Sequence, residues 1–587
     1  MRFLRNVLAT VVGLILFFGL IIMIISILAA SSEEEIVVAE NSVLKIDLDQ
    51  RPIVERQEDE FSLNIPGISG SNNTPVGLVE IKQAIQAAKE DDNIKGIYLT
   101  PGIVLGGWAA LREIRHELLE FKKADKFIVA YNEQAMTEQG YYLSSVANEN
   151  YLFPEGFIEF NGLASQTVFL KGLLEKIGVE PRVFRVGKFK GAVEPLIRTD
   201  LSEENRAQIE SFLNSIYGTY LTDLAEVEND LSAQELRDIA DSMRVYLPEQ
   251  AVEYGMVDAL AYDDEVDDKL KALLGLEEED DEVEFISLDR YQESIANETE
   301  YSSNRVAVIV AEGEIREGES SDGVIGGDTV GEELRKARED DNVKAVVLRI
   351  NSPGGSGGAS EKIWREVQLM KEEKPIIASM STYAASGGYY MAMGCDTIVA
   401  QPNTITGSIG VFSVAFGTQE LFDKVGLSVD VVKTGALADI LYPTQPITPA
   451  EERIIQNSVD QFYETFVTKA AQGRNMSVER IKDIASGRVW TGAEAKERNL
   501  VDVLGGLDDA ITLAVNRAGL EEGDYRVKYY PEKKPLIDQI LKELNLEAST
   551  YTMKRELGPL YPYVQQIQSL QHMQGLQARM PFVLDIQ

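Results

Sequence analysis

A chain that reads the same way twice, about 245 residues apart, must fold as two copies of one domain, and that duplication is the strongest constraint in this sequence. Glu90-Asp-Asp-Asn-Ile-Lys95 returns as Glu339-Asp-Asp-Asn-Val-Lys344, an offset of 249, and Gly140-Tyr-Tyr142 returns as Gly388-Tyr-Tyr390, an offset of 248. Arg244-Val-Tyr246 and Val257-Asp258 return as Arg488-Val-Trp490 and Val501-Asp502, both at 244. One match could be chance, but four in order, drifting by five residues, describe one unit copied with small loop insertions. Within each copy, short β-rich runs such as Gly96-Ile-Tyr-Leu99 and Ala345-Val-Val-Leu-Arg-Ile350 alternate with amphipathic stretches. Leu78 to Glu90, Gly331 to Glu339 and Ala359 to Lys371 read as helices, so each copy is an α/β unit with a mostly parallel sheet.

The segments outside the duplication have their own signatures. Residues 7–30 are 24 consecutive uncharged, mainly apolar positions. As a helix they reach about 36 Å, enough to cross a hydrocarbon core of about 30 Å. Arg2 and Arg5 precede the run and Glu33 to Glu35 follow it, which keeps the N-terminus in the cytoplasm and sends the body outside. The rival, a cleaved signal peptide, has an apolar region of only about 7–15 residues and a better small-residue cleavage site than Leu28-Ala29-Ala30. The expected divisions are an anchor over 1–35, a first domain over 36–276, an acidic linker over 277–300, a second domain over 301–534, and an extension over 535–587. That extension has no counterpart in the first copy and reads as a peripheral helix or a strap against a neighbouring subunit.

Charge narrows the function. The net charge of −40 repels phosphate backbones, so nucleic acid is not an expected partner. A single cysteine, Cys395, leaves no internal disulfide or thiolate metal cluster and reads as a small buried hydrophobe; neither a metal nor a cofactor is expected. Asn351-Ser-Pro-Gly-Gly355 stands between a strand and a helix, where its glycines form a tight turn or offer backbone N–H groups to an anion. Tyr383-Ala-Ala-Ser-Gly-Gly-Tyr389 presents Ser386 among small residues, which suits a nucleophile and equally a helix-capping serine. A triad needs an imidazole, yet the only histidines are His116, in a charged helical stretch, and His572, in the unmatched extension. Lysine is the remaining base, and it must be held neutral by desolvation. The duplication offers a pointer. Ser386 aligns with Glu138, and Lys190 aligns with Leu437, so one copy carries the serine and the other the lysine. Lys188, two residues before Lys190, is expected on the same strand face.

These motifs resemble the signal peptide peptidase A (protease IV) family in its long two-domain form. The resemblance rests on Asn351 to Gly355, Met380 to Tyr390, Thr406-Gly-Ser-Ile-Gly410, Val186-Gly-Lys-Phe-Lys190-Gly-Ala-Val-Glu-Pro195 and Arg488-Val-Trp-Thr-Gly492. It implies a nucleophile at Ser386, a general base at Lys190, Ser408 as the residue orienting the lysine, and an oxyanion hole from Gly387 with the Gly354-Gly355 turn. It also implies tandem Clp protease/crotonase-like domains of ββα superhelical units behind the transmembrane helix, and a homotetrameric bowl. The implied substrates are signal peptides and other apolar peptides beside the inner membrane, cleaved on its periplasmic side. Two other readings compete: a crotonase-like enzyme acting on acyl thioesters, and an inert membrane scaffold.

Overall fold

The computed structural model describes Gly13 and residues 36–57, 74–227, 231–276, 282–296, 302–532 and 575–580. Apart from Gly13, the expected membrane anchor lies outside the described residues; so does most of the extension after Pro535. Among the described residues no helix is long and apolar enough to cross a membrane.

Each half is built on a parallel sheet whose strand order is the same. In the first half the order is Ala259–Leu260, Glu149–Leu152, Phe127–Asn132, Ile94–Thr100, Ser42–Asp47, Phe285–Ser287. The second half repeats it as Val503–Leu504, Thr397–Ala400, Ile376–Ala385, Val343–Ser352, Asn304–Glu312, Tyr525–Tyr530. Central strands such as Val343–Ser352 are buried on both faces, which is why they read as continuous apolar runs. The expected helices are present with slightly wider bounds, as Leu78–Glu90, Gly327–Glu339 and Gly357–Glu373. Leu78, Ile81, Ile85 and Ala88 recur at helical spacing and are buried in the first core. Short strands between main-sheet strands and helices, such as Glu314–Arg316 and Gly354–Ser356, form a further layer; they make the repeating unit strand, short strand, helix.

The expected linker over 277–300 is only partly a linker. Phe285–Ser287 adds the edge strand of the first sheet, and helix Leu288–Ala296 follows it and packs on Leu78–Glu90. Ile286, Leu288 and Tyr291 are buried there, because an apolar residue beside an open sheet edge gains both ladder bonds and cover. Acidic composition masked this, since only a few of those residues face inward.

Two features hold the halves together. Strand Glu180–Val186 of the first half pairs antiparallel with Val411–Gly417 of the second over seven residue pairs. A buried charge network forms the other junction. The Arg349 guanidinium donates to Glu55 and Glu113 of the first half, both at 2.7 Å, and to Ser379 at 2.9 Å. Lys82 Nζ donates to the second Glu113 oxygen at 2.8 Å. Arg349 and Lys82 together hold the Glu113 carboxyl down at about 2, against the opposing effect of burial.

Candidate active site

Ser386 ends strand Ile376–Ala385 and caps helix Gly387–Ala392 with φ 57° and ψ −109°, a conformation that costs a residue bearing a Cβ. The turn is held from both sides. Ser386 N–H donates to the Gly407 carbonyl at 2.8 Å, and Tyr390 N–H donates to the Ser386 carbonyl at 2.8 Å. Glycine is required next to it. A Cβ on Gly388 would stand 2.9 Å from the Ser352 carbonyl oxygen, and one on Gly387 would stand 2.7 Å from Ser360 Oγ. The Ser386 hydroxyl makes no capping bond to its own helix, so the capping-serine alternative does not describe it.

What the hydroxyl does meet is a lysine 196 residues earlier: Lys190 Nζ lies 2.7 Å from Ser386 Oγ. Nζ is also 3.1 Å from the Ser408 carbonyl oxygen and 3.1 Å from Ser408 Oγ. All three side chains are 0% exposed. Burial pushes the Lys190 amine well below lysine's ordinary range, with no neighbouring charge to offset it. A neutral amine has two N–H groups and one lone pair, and the three contacts match that count. Both Ser408 oxygens can accept from the amine while the Ser386 hydroxyl donates to it. Ser408 Oγ in turn lies 3.4 Å from the Gly487 carbonyl oxygen.

Lysine reaches this position because the chain turns. Strand Glu180–Val186 stops before the lysines, so strand alternation does not apply to Lys188 and Lys190. Gly187 has φ 103°, Lys188 is exposed with its ammonium over the Phe189 ring, and Lys190 is buried at the start of the turn Gly191–Val193. The expectation that Lys188 shares a face with Lys190 is therefore corrected. Two glycines make room: a Cβ on Gly487 would stand 2.7 Å from Lys190 Cβ, and one on Gly410 would stand 3.2 Å from Lys190 Cδ. Gln208 props the turn by donating to the Phe189 carbonyl at 3.0 Å. Gly487, beside the repeated Arg488-Val-Trp490 motif, is a site residue that sequence reasoning passed over.

The glycine pair expected to face the serine is adjacent to it. Gly354 has φ 95°, and a Cβ there would stand 2.8 Å from the Gly387 nitrogen. The Gly354 N–H is already donated to Ser352 Oγ at 3.1 Å. The second member of the pair, Gly355, stands in register with Ala578 of the C-terminal extension, on a short strand spanning Gln577–Arg579. Among the other sequence candidates, His116 is exposed on helix Trp108–Lys122, Leu437 is on an exposed loop, and His572 lies outside the described residues. Cys395 is buried, as expected. Glu138 occupies the first half's counterpart of the serine position. It accepts from Asn161 and Gly162 N–H groups at 2.8 and 2.7 Å, and burial lifts its carboxyl to about 7.

A family model for Peptidase family S49 matches residues 120–277 and 368–521, once in each half. The chain belongs to peptidase family S49. This S49 chain is 36% identical to "Protease 4" of Salmonella typhi over 487 residues, covering 81% of this chain and 78% of that protein. It is 33% identical to "Protease 4" of Haemophilus influenzae over 516 residues, covering 83% of each. It is also 36% identical to "Serine protease SPPA, chloroplastic" of Arabidopsis thaliana over 457 residues, covering 76% of this chain and 67% of the plant protein. The S49 chain is thus a serine peptidase, and the acyl-thioester and scaffold readings give way to it.

Proposed function

We propose that this S49 peptidase cleaves apolar peptides, signal peptides among them, by a Ser386–Lys190 dyad whose members come from different halves. The observation that carries the reading is the 2.7 Å contact between Lys190 Nζ and Ser386 Oγ, in a fully buried pocket that disfavours the charged amine. In the first step Ser386 Oγ bonds to the scissile carbonyl carbon while its proton passes to Lys190 Nζ. The carbonyl π electrons move to oxygen, where the Gly387 and Gly355 N–H groups hold the charge. Collapse breaks the C–N bond, and the leaving amine takes the proton from the Lys190 ammonium. Water then adds to the acyl ester and gives a proton to the same amine; Ser386 leaves with that proton, releasing the acid. Ser408 keeps the lone pair of Lys190 aimed at the hydroxyl by accepting both amine N–H groups.

Residues 7–30 fit the same reading as a membrane anchor that places the catalytic body on the periplasmic side, near peptides that stay with the lipid. A homotetrameric bowl, as the family resemblance implies, would restrict entry to unfolded chains. The test is hydrolysis of a fluorogenic apolar peptide by purified variants. Ser386→Ala and Lys190→Ala each lose at least a hundredfold in kcat with circular dichroism unchanged, while Lys188→Ala retains activity. Activity surviving in Ser386→Ala, or lost in Lys188→Ala and kept in Lys190→Ala, overturns the assignment.

A further inference from the structure

The sheet that carries the Gly354-Gly355 strand has an unusual member. Its order is Val324–Gly326, Glu314–Arg316, Gly354–Ser356, Gln577–Arg579, Val411–Gly417, Glu180–Val186. All but one of these strands belong to the two duplicated halves. The exception, Gln577–Arg579, comes from the extension that the first half lacks, and it lies between the glycine strand and the Val411–Gly417 strand.

Its pairing is that of a peptide laid into a slot. It runs antiparallel to Gly354–Ser356 with Arg579 opposite Gly354, Ala578 opposite Gly355 and Gln577 opposite Ser356, and Gln577 also pairs with Phe412 on the other side. The ladder continues at both ends. Met580 N–H donates to the Pro353 carbonyl at 2.6 Å, and Gly357 N–H donates to the Leu576 carbonyl at 3.1 Å. With strands about 4.8 Å apart, removing this one leaves a gap of a single extended chain, lined by main-chain donors and acceptors on either side.

That gap is at the serine. A Cβ on Gly387, the residue after Ser386, would stand 3.0 Å from the Ala578 carbonyl oxygen, and one on Gly354 would stand 2.2 Å from it. Ala578 is 0% exposed, Met580 is buried in the apolar cluster that also holds Ala385, Ile405 and Val489, and the Arg579 guanidinium is 2.9 Å from the Glu314 carboxylate. The occupant thus brings the carbonyl of a small buried residue, Ala578, to the turn that holds the serine, with apolar residues two positions to either side, Leu576 and Met580.

Resting on the dyad reading above, we propose that Leu576–Met580 occupies the peptide-binding slot of the chain's own Ser386 site and competes with substrate. It follows that the slot takes an extended peptide antiparallel to Gly354–Ser356, with a small residue opposite Gly355. A tethered competitor acts at high effective concentration, so it raises KM for a free peptide and leaves kcat unchanged.

The experiment compares the full chain with a chain ending at Gln574. Deletion is expected to lower KM for a fluorogenic apolar peptide carrying alanine before its scissile bond by at least fivefold at constant kcat. Ala578→Trp in the full chain, which puts an indole at a position that is 0% exposed, is expected to do the same without shortening the protein. A labelled peptide of sequence Leu-Gln-Ala-Arg-Met should bind the shortened chain carrying Ser386→Ala, read by fluorescence anisotropy, and bind the full chain at least fivefold more weakly. Equal peptide binding to both chains, with KM unmoved in both variants, would make the strand a structural member of the sheet and overturn the proposal. Because anisotropy needs no turnover, that outcome is separate from a failure of the dyad, which would appear as hydrolysis surviving Ser386→Ala.

Discussion

Replacing Lys190 by methionine is expected to abolish hydrolysis and at the same time remove a pH dependence that the buried amine imposes on stability. The sign follows from linkage. In the unfolded chain the amine titrates near 10.4, whereas burial among Ser386, Ser408 and Gly410 lowers its folded value. Between those two values the unfolded state binds the extra proton, so stability rises with pH until the unfolded amine has also discharged. For a folded value below 8, holding the amine neutral at pH 8 costs about 3 kcal/mol, at roughly 1.4 kcal/mol for each pH unit below 10.4. Methionine fills similar volume without that cost but gives up three contacts with Ser386 and Ser408, each worth about 1 kcal/mol net. The balance at pH 8 is close to zero, and at pH 10, where neutrality costs under about 1 kcal/mol, the variant is about 2 kcal/mol less stable, or about 4–8 °C lower in melting temperature for a unit of this size. Thermal unfolding of wild type and variant, followed at pH 8 and pH 10, reads the effect, and wild type should gain on the variant at the higher pH. A gap between the two proteins that does not change from pH 8 to pH 10 would refute a lysine held neutral by burial.

Two further outcomes follow from the same geometry. The kcat/KM of peptide hydrolysis should rise as pH is raised through the lowered Lys190 value and then level off, because only the neutral amine accepts the serine proton; a flat profile from weakly acidic to alkaline pH, with chemistry rate-limiting, would exclude that base. Arg349→Met leaves the buried Glu55 and Glu113 carboxylates facing each other without their shared cation, so it should cost about 3–5 kcal/mol in urea unfolding. An effect under about 1 kcal/mol would mean that water reaches the junction between the halves.

Much of the architecture was legible because it is written in local periodicity. The duplicated motifs fixed two units, and the apolar runs at Ile94–Thr100 and Val343–Ser352 became neighbouring strands of equivalent sheets. Ser386 was visible through its glycines, which a sharp strand-to-helix turn demands. Lysine as the base emerged from the scarcity of histidine together with the unequal halves. Choosing between Lys188 and Lys190 was harder than strand alternation suggested, because the strand ends at Val186 and a turn directs the two side chains to opposite environments. Two segments were misjudged or unread for one reason: an edge strand takes its identity from the edge it joins. Phe285–Ser287 looked like acidic linker, and Gln577–Arg579 carried no signal of the slot it fills.

By itself, then, the sequence determined the kinds of unit and the kinds of chemistry available, because periodicity, glycine placement and residue type are properties of short stretches of chain. Tertiary structure alone decided that an amine and a hydroxyl 196 residues apart would touch, that burial would disfavour the charged amine, and that Gln577–Arg579 would pair with the glycine strand beside them. Proximity and desolvation belong to the assembled surroundings, where segments distant in sequence exclude water together, and no stretch of residues carries them alone.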